Sequence, residues 1–353
     1  MTRELITQQP KAQEPKEQEP KAQEPKTQQP TPRGFRTAAV IGAGTIGLSW
    51  TALFAGHGLT VRVSDPRPDL AEAVAAALAD FAPHLAARGL DVEGLADRVH
   101  IAADVTEAVR DADVVQENGP ERVEFKKDLF ATLVREAPGH ALLLSSSSAI
   151  PSSSFTAELD DAGRILIGHP FNPPHLLPLV EVVPGERTSE AAVQAAVDFY
   201  TLVGRTPVVE RKEIPGFVGN RLQNALSREA IYLVEQGVVT PEDLDKVMTN
   251  SLGIRWSTVG PFLGSHLGGG PGGYRHLAEH IGASMKQMWA GLGNPSQNEE
   301  EQQRLIAAVE KAYGSSTYPE LTETRDRRQL AVLSALDSAD RPDQSDTTDK
   351  GEN

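Results

Sequence analysis

TAAVIGAGTIGLSWTALF, residues 37 to 54, is the stretch that decides the fold. It opens as a short apolar run broken at Gly42 and Gly44. From Thr45 to Phe54 the apolar positions then fall at helical spacing, so a strand feeds directly into a helix. Gly42, Gly44 and Gly47 form a GxGxxG pattern at that junction. The first glycine permits the tight bend, the second lets a pyrophosphate approach the backbone, and the third lets the helix pack close to the sheet. Amides of the helix start, at Thr45 and Ile46, face the phosphates. The next apolar run, Leu59 to Val63, leads to Asp65, 23 positions beyond Gly42. A carboxylate there accepts hydrogen bonds from ribose hydroxyls and repels a 2'-phosphate, which favours NAD over NADP. Arg67, two residues on, pulls the other way if its guanidinium is free.

Working outward, the pattern repeats. Helical segments are expected at Leu70 to Ala86, Val105 to Val109 and Arg122 to Val134, alternating with strands at His100 to Ala102, Asp113 to Gln116 and Ala141 to Leu144. Strands at Ile165 to Ile167, Leu179 to Val183 and Pro207 to Val209 extend the series. Such alternation predicts an α/β fold, a Rossmann-type parallel sheet covered on both faces. From Gly216 the character changes to long helical patterns, which predicts a second, all-helical C-terminal domain. The expected divisions are an arm over 1–33, an NAD-binding domain over 34–212, a helical domain over 213–337, which the resemblance given below implies binds substrate and dimerises, and a tail over 338–353. Residues 11 to 30, KAQEPKEQEPKAQEPKTQQP, offer almost no apolar surface to offset ordering entropy, so the arm is expected to be disordered, as is the tail.

The chain has 353 residues, a formal net charge of -15 and no cysteine. Neither a nucleic-acid footprint nor an anionic-membrane face fits that charge. Disulfides, thiolate metal sites and cysteine nucleophiles are excluded, and no metal site is expected. With no signal-peptide pattern and no run of about 20 apolar residues, the expected compartment is the cytoplasm.

Candidate chemistry gathers near the predicted cofactor edge. In GHPFNPPHLLPLVEVV, residues 168 to 183, His169 closes one predicted strand and Glu181 lies in the middle of the next. A carboxylate flanked by Leu179, Val180, Val182 and Val183 on a covered strand is costly unless paired. A histidine paired with it is a general base near neutral pH. His175 is a weaker candidate inside a proline-bounded loop. The serine run Ser145 to Ser148 follows a predicted parallel strand, where open sheets place ligands. Asn220 is a polar residue in the apolar PGFVGNRL helix start.

These stretches together resemble the 3-hydroxyacyl-CoA dehydrogenase family from about Thr37 to Ile281. The resemblance rests on GAGTIG, QENGPERVEFKK at 116 to 127, SSSSAIPSS, GHPFNPPHLLPLVEVV and PGFVGNRLQNALSREAIYLVEQG at 215 to 237. It implies an NAD domain followed by a helical domain that dimerises. It also implies that His169 is the catalytic histidine, Glu181 its partner carboxylate, and Ser148 and Asn220 the polar residues near the substrate oxygen and nicotinamide. Glu121 and Lys126 fall on positions near the nicotinamide end of the cofactor. By local reading alone they are ordinary helix charges.

LGIRWSTVGPF at 252 to 262 and GGGPGGYRHLAEHIG at 268 to 282 resemble instead the branch of that family acting on free small hydroxy acids such as carnitine and gulonate. On that reading Arg255 clamps a carboxylate with its planar fork. Trp256 and Tyr274 then form an aromatic wall for a trimethylammonium group, or simply pack between domains. The expected activity is NAD-dependent oxidation of the 3-hydroxyl of a small free acid, carnitine-like or 3-hydroxybutyrate-like, by a homodimer. A 3-hydroxyacyl group on CoA or a carrier, and a non-catalytic NAD-binding protein, are the alternatives.

Overall fold

The computed structural model describes residues 34–296 and 298–340. The expected N-terminal arm and most of the expected tail lie outside them. Eight strands form one sheet in the order β3-β2-β1-β4-β5-β6-β7-β8. They are β1 (Thr37–Ile41), β2 (Thr60–Ser64), β3 (Val99–Ile101), β4 (Val114–Glu117), β5 (Leu142–Ser145), β6 (Ile165–Pro170), β7 (Leu179–Pro184) and β8 (Thr206–Val209). The crossover helices are α1 (Thr45–Gly56), α2 (Leu70–Ala87), α3 (Val105–Val109), α4 (Val123–Glu136), α5 (Ser153–Thr156) and α6 (Glu190–Leu202).

All adjacent strand pairs are parallel except β6 and β7, which are antiparallel. The reason lies in the connection. A parallel return needs a crossover of a dozen or more residues, whereas FNPPHLLP, residues 171 to 178, is short, proline-rich and carries no helix. One core cluster, with Trp50, Phe54, Leu85, Phe199 and Tyr200, covers one face of the sheet. The other, with Phe130, Leu133, Phe155 and Phe217, covers the opposite face. By length and composition α2 is apolar enough to cross a membrane, but Leu70, Val74, Ala77, Leu78 and Leu85 are buried and the helix packs on α1, as a sheet-covering helix does.

Beyond β8 the described chain is helical: α7 (Val218–Glu235), α8 (Pro241–Val247), α9 (Gly253–Thr258), α10 (Pro261–Gly268), α11 (Gly273–Gly291), α12 (Glu299–Tyr313) and α13 (Tyr318–Ala339). α12 packs on α7 and α8, and α10 on α11. α13 returns to the sheet domain, where Asp337 pairs with Arg88. It runs two residues into the stretch expected to be tail, opened by a capping box of Thr317 and Glu320.

Candidate active site

Three glycines at the end of β1 have three distinct environments. Gly42 has φ +94°, and a Cβ there would sit 2.9 Å from the Asn118 carbonyl, so this bend admits glycine. A Cβ on Gly47 would fall 1.9 Å from the Gly42 carbonyl oxygen, which is the cost of laying α1 so close to the sheet. A Cβ on Gly44 would meet nothing within 4 Å. Gly44 and Thr45 are exposed, and no side chain caps the first turn of α1. An open backbone under an uncapped helix start is what a pyrophosphate requires, so the residues fit a dinucleotide. The Asp65 carboxylate, just beyond β2, accepts from the Ala43 amide at 2.7 Å and the Arg67 amide at 2.9 Å, which ties the glycine loop to the neighbouring strand.

A second polar layer closes the ends of β4 and β5. Glu117 and Lys126 are both fully buried, and the ammonium donates to the two carboxylate oxygens at 2.9 and 2.8 Å. Ser145 and the Gly119 amide also donate to Glu117, so this buried pair is saturated with hydrogen bonds. Glu121 lies 3.6 Å from the same ammonium. Its Oε1 accepts from the Ser147 hydroxyl at 2.7 Å and from the Ser148 and Ala149 amides at 2.7 and 3.0 Å. Lys126 and Glu121 thus hold the serine loop in position.

The antiparallel pairing of β6 and β7 sets His169 directly across from Glu181. His169 Nδ1 and Glu181 Oε2 are 2.7 Å apart, both side chains almost completely buried. The other carboxylate oxygen accepts from the Gly219 amide at 2.6 Å, in the first turn of α7. Burial opposes ionisation of Glu181, but the hydrogen bonds from His169, Gly219 and Glu210 outweigh it and hold the carboxyl below its ordinary range. The rings of Phe171 and Phe217 pack tilted against the imidazole, with centroids at 5.3 and 5.5 Å. Phe217 is buried with φ +48°, a strained backbone for a non-glycine residue, at the entry to α7. One residue past Gly219, Asn220 donates to the Ser148 carbonyl at 2.8 Å, and Ser148 itself is exposed. His169, Glu181, Ser148 and Asn220 are therefore linked across β6, β7, the loop after β5 and α7.

Other residues are placed differently. The His175 Nδ1 and the Ser49 hydroxyl are 2.8 Å apart, and the ring stacks on Phe81, away from the His169 pair. Arg255, Trp256 and Tyr274 are exposed on α9 and α11. No hydrogen bond, ion pair or ring contact among the described residues joins them to His169 or Glu181; Tyr274 meets Phe262 edge-on. Glu117 and Glu210 are buried acids beyond the sequence expectations. Glu117 ends an apolar strand, the same buried-charge signal that marks Glu181. Glu210 begins the charged run ERKE, residues 210 to 213, which reads as loop.

The doubly covered sheet, the glycine turn with its acid, and a buried imidazole and carboxylate pair on the same sheet define an NAD-dependent dehydrogenase. The family descriptions agree. The 3-hydroxyacyl-CoA dehydrogenase NAD binding domain matches residues 37–214, and the C-terminal domain of the same family matches residues 216–303. The chain belongs to the 3-hydroxyacyl-CoA dehydrogenase family. It is 39% identical over 307 residues to an L-carnitine dehydrogenase of Nocardiopsis dassonvillei, an alignment covering 87% of this chain and 93% of that one. A 3-hydroxyacyl-CoA dehydrogenase of Gibberella moniliformis is 40% identical over 306 residues, covering 85% and 94%. Among solved structures, 5-formyl-3-hydroxy-2-methylpyridine 4-carboxylic acid 5-dehydrogenase, described as an NAD+-dependent dismutase, superposes with a TM-score of 0.68 at 29% identity, covering 86% of this chain and 99% of that one.

Proposed function

We propose that the enzyme oxidises the 3-hydroxyl of a small free hydroxy acid, carnitine-like or 3-hydroxybutyrate-like, to the 3-keto acid. The observation that carries the reading is the buried His169 and Glu181 pair, linked through the start of α7 to Asn220 and Ser148. NAD, when bound, accepts the hydride. His169 takes the hydroxyl proton through the ring nitrogen that Glu181 leaves free. Glu181 fixes the tautomer and stabilises the imidazolium, and Ser148 and Asn220 align the substrate oxygen. Gly42, Gly44, Thr45, Ile46, Gly47 and Asp65 hold the dinucleotide, with Glu121 and Lys126 shaping its nicotinamide end.

Arg255 supplies the carboxylate clamp from the helical domain, and Trp256 and Tyr274 an aromatic wall. The exposed guanidinium of Arg255, which pairs with no carboxylate among the described residues, supports this reading, as do relatives bearing the name L-carnitine dehydrogenase. The NAD-binding domain spans 34–212 and the helical domain 213–337, the latter pairing two copies into a homodimer. The absence of cysteine supports a cytoplasmic location. The Gibberella relative supports a second reading, a 3-hydroxyacyl-CoA substrate.

Kinetics of NAD reduction with carnitine, 3-hydroxybutyrate, gulonate and 3-hydroxybutyryl-CoA separate the two. The free-acid reading expects a free acid to be the best substrate and Arg255→Ala to lose about 30-fold or more in kcat/KM on it, the usual cost of unpairing a clamped charge. Unchanged kinetics in a folded Arg255→Ala variant, with the CoA ester far better, would overturn it.

A further inference from the structure

Behind the His169 and Glu181 pair lies a third ionisable group. Glu210 follows β8 directly and is almost fully buried, and its amide donates to the Val182 carbonyl at 2.9 Å. Because β7 and β8 run parallel with Glu181 opposite Val208, Glu210 projects from the same face two residues further along, a diagonal neighbour of Glu181. The two carboxylates also converge on one place in α7. Glu210 Oε1 accepts from the Val218 amide at 2.8 Å, and Glu181 Oε1 accepts from the next amide, Gly219, at 2.6 Å. Consecutive residues are about 3.8 Å apart along the chain, so two buried carboxyl groups are held nearly side by side at one helix start.

Two carboxyl groups held this close disfavour ionising together, which favours a single proton shared between them. The surroundings decide which group holds it. Glu181 bonds His169 directly and takes the Gly219 amide, whereas Glu210 has one amide and feels the His169 charge only from behind Glu181. The charged groups nearest in sequence do not alter this: Arg211 and Lys212 are exposed, and Glu213 turns to the Ser152 hydroxyl at 3.0 Å. Arg221 on α7 is exposed and reaches back to the Pro215 carbonyl.

We propose that Glu210 is a positioning residue of the hydride site, a carboxylic acid that keeps its proton and donates it to Glu181, fixing Glu181 as the anion that orients His169. The inference rests on the catalytic reading of His169. Burial drives the Glu210 carboxyl above its ordinary range and the neighbouring Glu181 raises it further, only partly offset by the Val218 amide and the His169 charge, in the same direction as the geometry. The proton stays on Glu210 throughout.

The test is the acid limb of the kcat/KM profile for hydroxy-acid oxidation, which falls as His169 becomes protonated. In Glu210→Gln the amide still donates to Glu181 and no charge changes, so the limb stays in place. In Glu210→Leu the donor is lost, Glu181 holds its charge more nakedly against the imidazolium, and the limb moves up by about half a pH unit or more. A downward movement in Glu210→Gln would show that a negative charge had been removed, and an unmoved limb in both variants would reduce Glu210 to packing; either overturns the proposal. Independently of turnover, the infrared difference between wild type and Glu210→Gln at neutral pH should contain the carbonyl stretch of a protonated carboxyl. An ionised carboxylate band in its place also overturns it. His169→Ala is the separate control: if it retains activity, the catalytic reading itself fails, whatever Glu210 does.

Discussion

Arg67 stands beside Asp65, the proposed ribose acid, where a free guanidinium would welcome a 2'-phosphate and blur the choice of cofactor. It is not free. Nε and Nη2 donate to the two oxygens of Asp69 at 2.8 Å each, and Nη1 reaches the Ala43 carbonyl at 3.3 Å. The Asp69 bond also raises the guanidinium's affinity for its proton, against a smaller opposing effect of desolvation. Asp65 meanwhile keeps its carboxylate at the loop that would cradle the phosphates. Calorimetric titration should therefore show NAD binding at least about tenfold more tightly than NADP, a margin within reach of hydrogen bonds to a charged group. Asp69→Ala frees Arg67 and should narrow that margin, chiefly by strengthening NADP. Equal affinities in the wild type would remove Asp65 as the selector, and an unchanged ratio in Asp69→Ala would remove Asp69 as the restraint.

Single elements show where sequence reasoning reaches its limit. β1, α1 and β2 were legible because three glycines and one acid each have a stereochemical job that few other residues can do. The direction of β7 was not, since alternating strands and apolar runs look alike in either sense; only the short, helix-free link from Phe171 to Pro178 implies a hairpin-like return. His169 and Glu181 were legible as residue types, but that they face one another is a matter of register. α13 lies almost wholly within the stretch expected to be helical, but its bounds are not legible, because ETRDRRQ, residues 323 to 329, shows no apolar stripe. The same link also carries His175, whose role is to fasten α2. It bonds Ser49, approaches His84 at 3.2 Å, and is pushed down to about 3, first by burial and then by His84. A histidine kept neutral in the fold protonates more readily when unfolded, at about 6.5. Its contribution is intact above that value and drains away as pH falls toward about 3. Between pH 7.5 and 5 urea unfolding should show a loss of about 2 kcal/mol from this residue. His175→Gln, which keeps a partner for Ser49, should flatten that slope; an equally steep slope in the variant would assign the acid sensitivity elsewhere.

At the scale of the whole molecule the two halves of the chain differ in how they are finished. Around the sheet, Trp50, Phe54, Phe130 and Phe199 are completely buried. In α7, 18 residues long, none is buried, although its apolar positions fall on one side, with Val218, Leu222 and Leu226 exposed. Phe262 is 78% exposed on α10, and Met288 and Trp289 are 70% and 60% exposed on α11. A helix gains most of its stability by covering an apolar face, so these surfaces are unfinished in a single copy. A second copy of the same chain is the cover that the homodimer reading requires. Light scattering should accordingly give twice 37.9 kDa. Leu222→Glu combined with Phe262→Glu should shift the mass toward one copy and lower the unfolding temperature of the helical domain, because charges replace contacts at the seam. Each copy carries a net charge of -15, so pairing brings like charges together. Raising salt from low to physiological concentration screens that repulsion and should strengthen association, the opposite of an interface built on ion pairs. A wild-type chain of single-copy mass at micromolar concentration and physiological salt would end the dimer reading. A dimer that salt dissociates would show instead that charge pairs, and not the exposed apolar faces of α7, α10 and α11, hold the copies together.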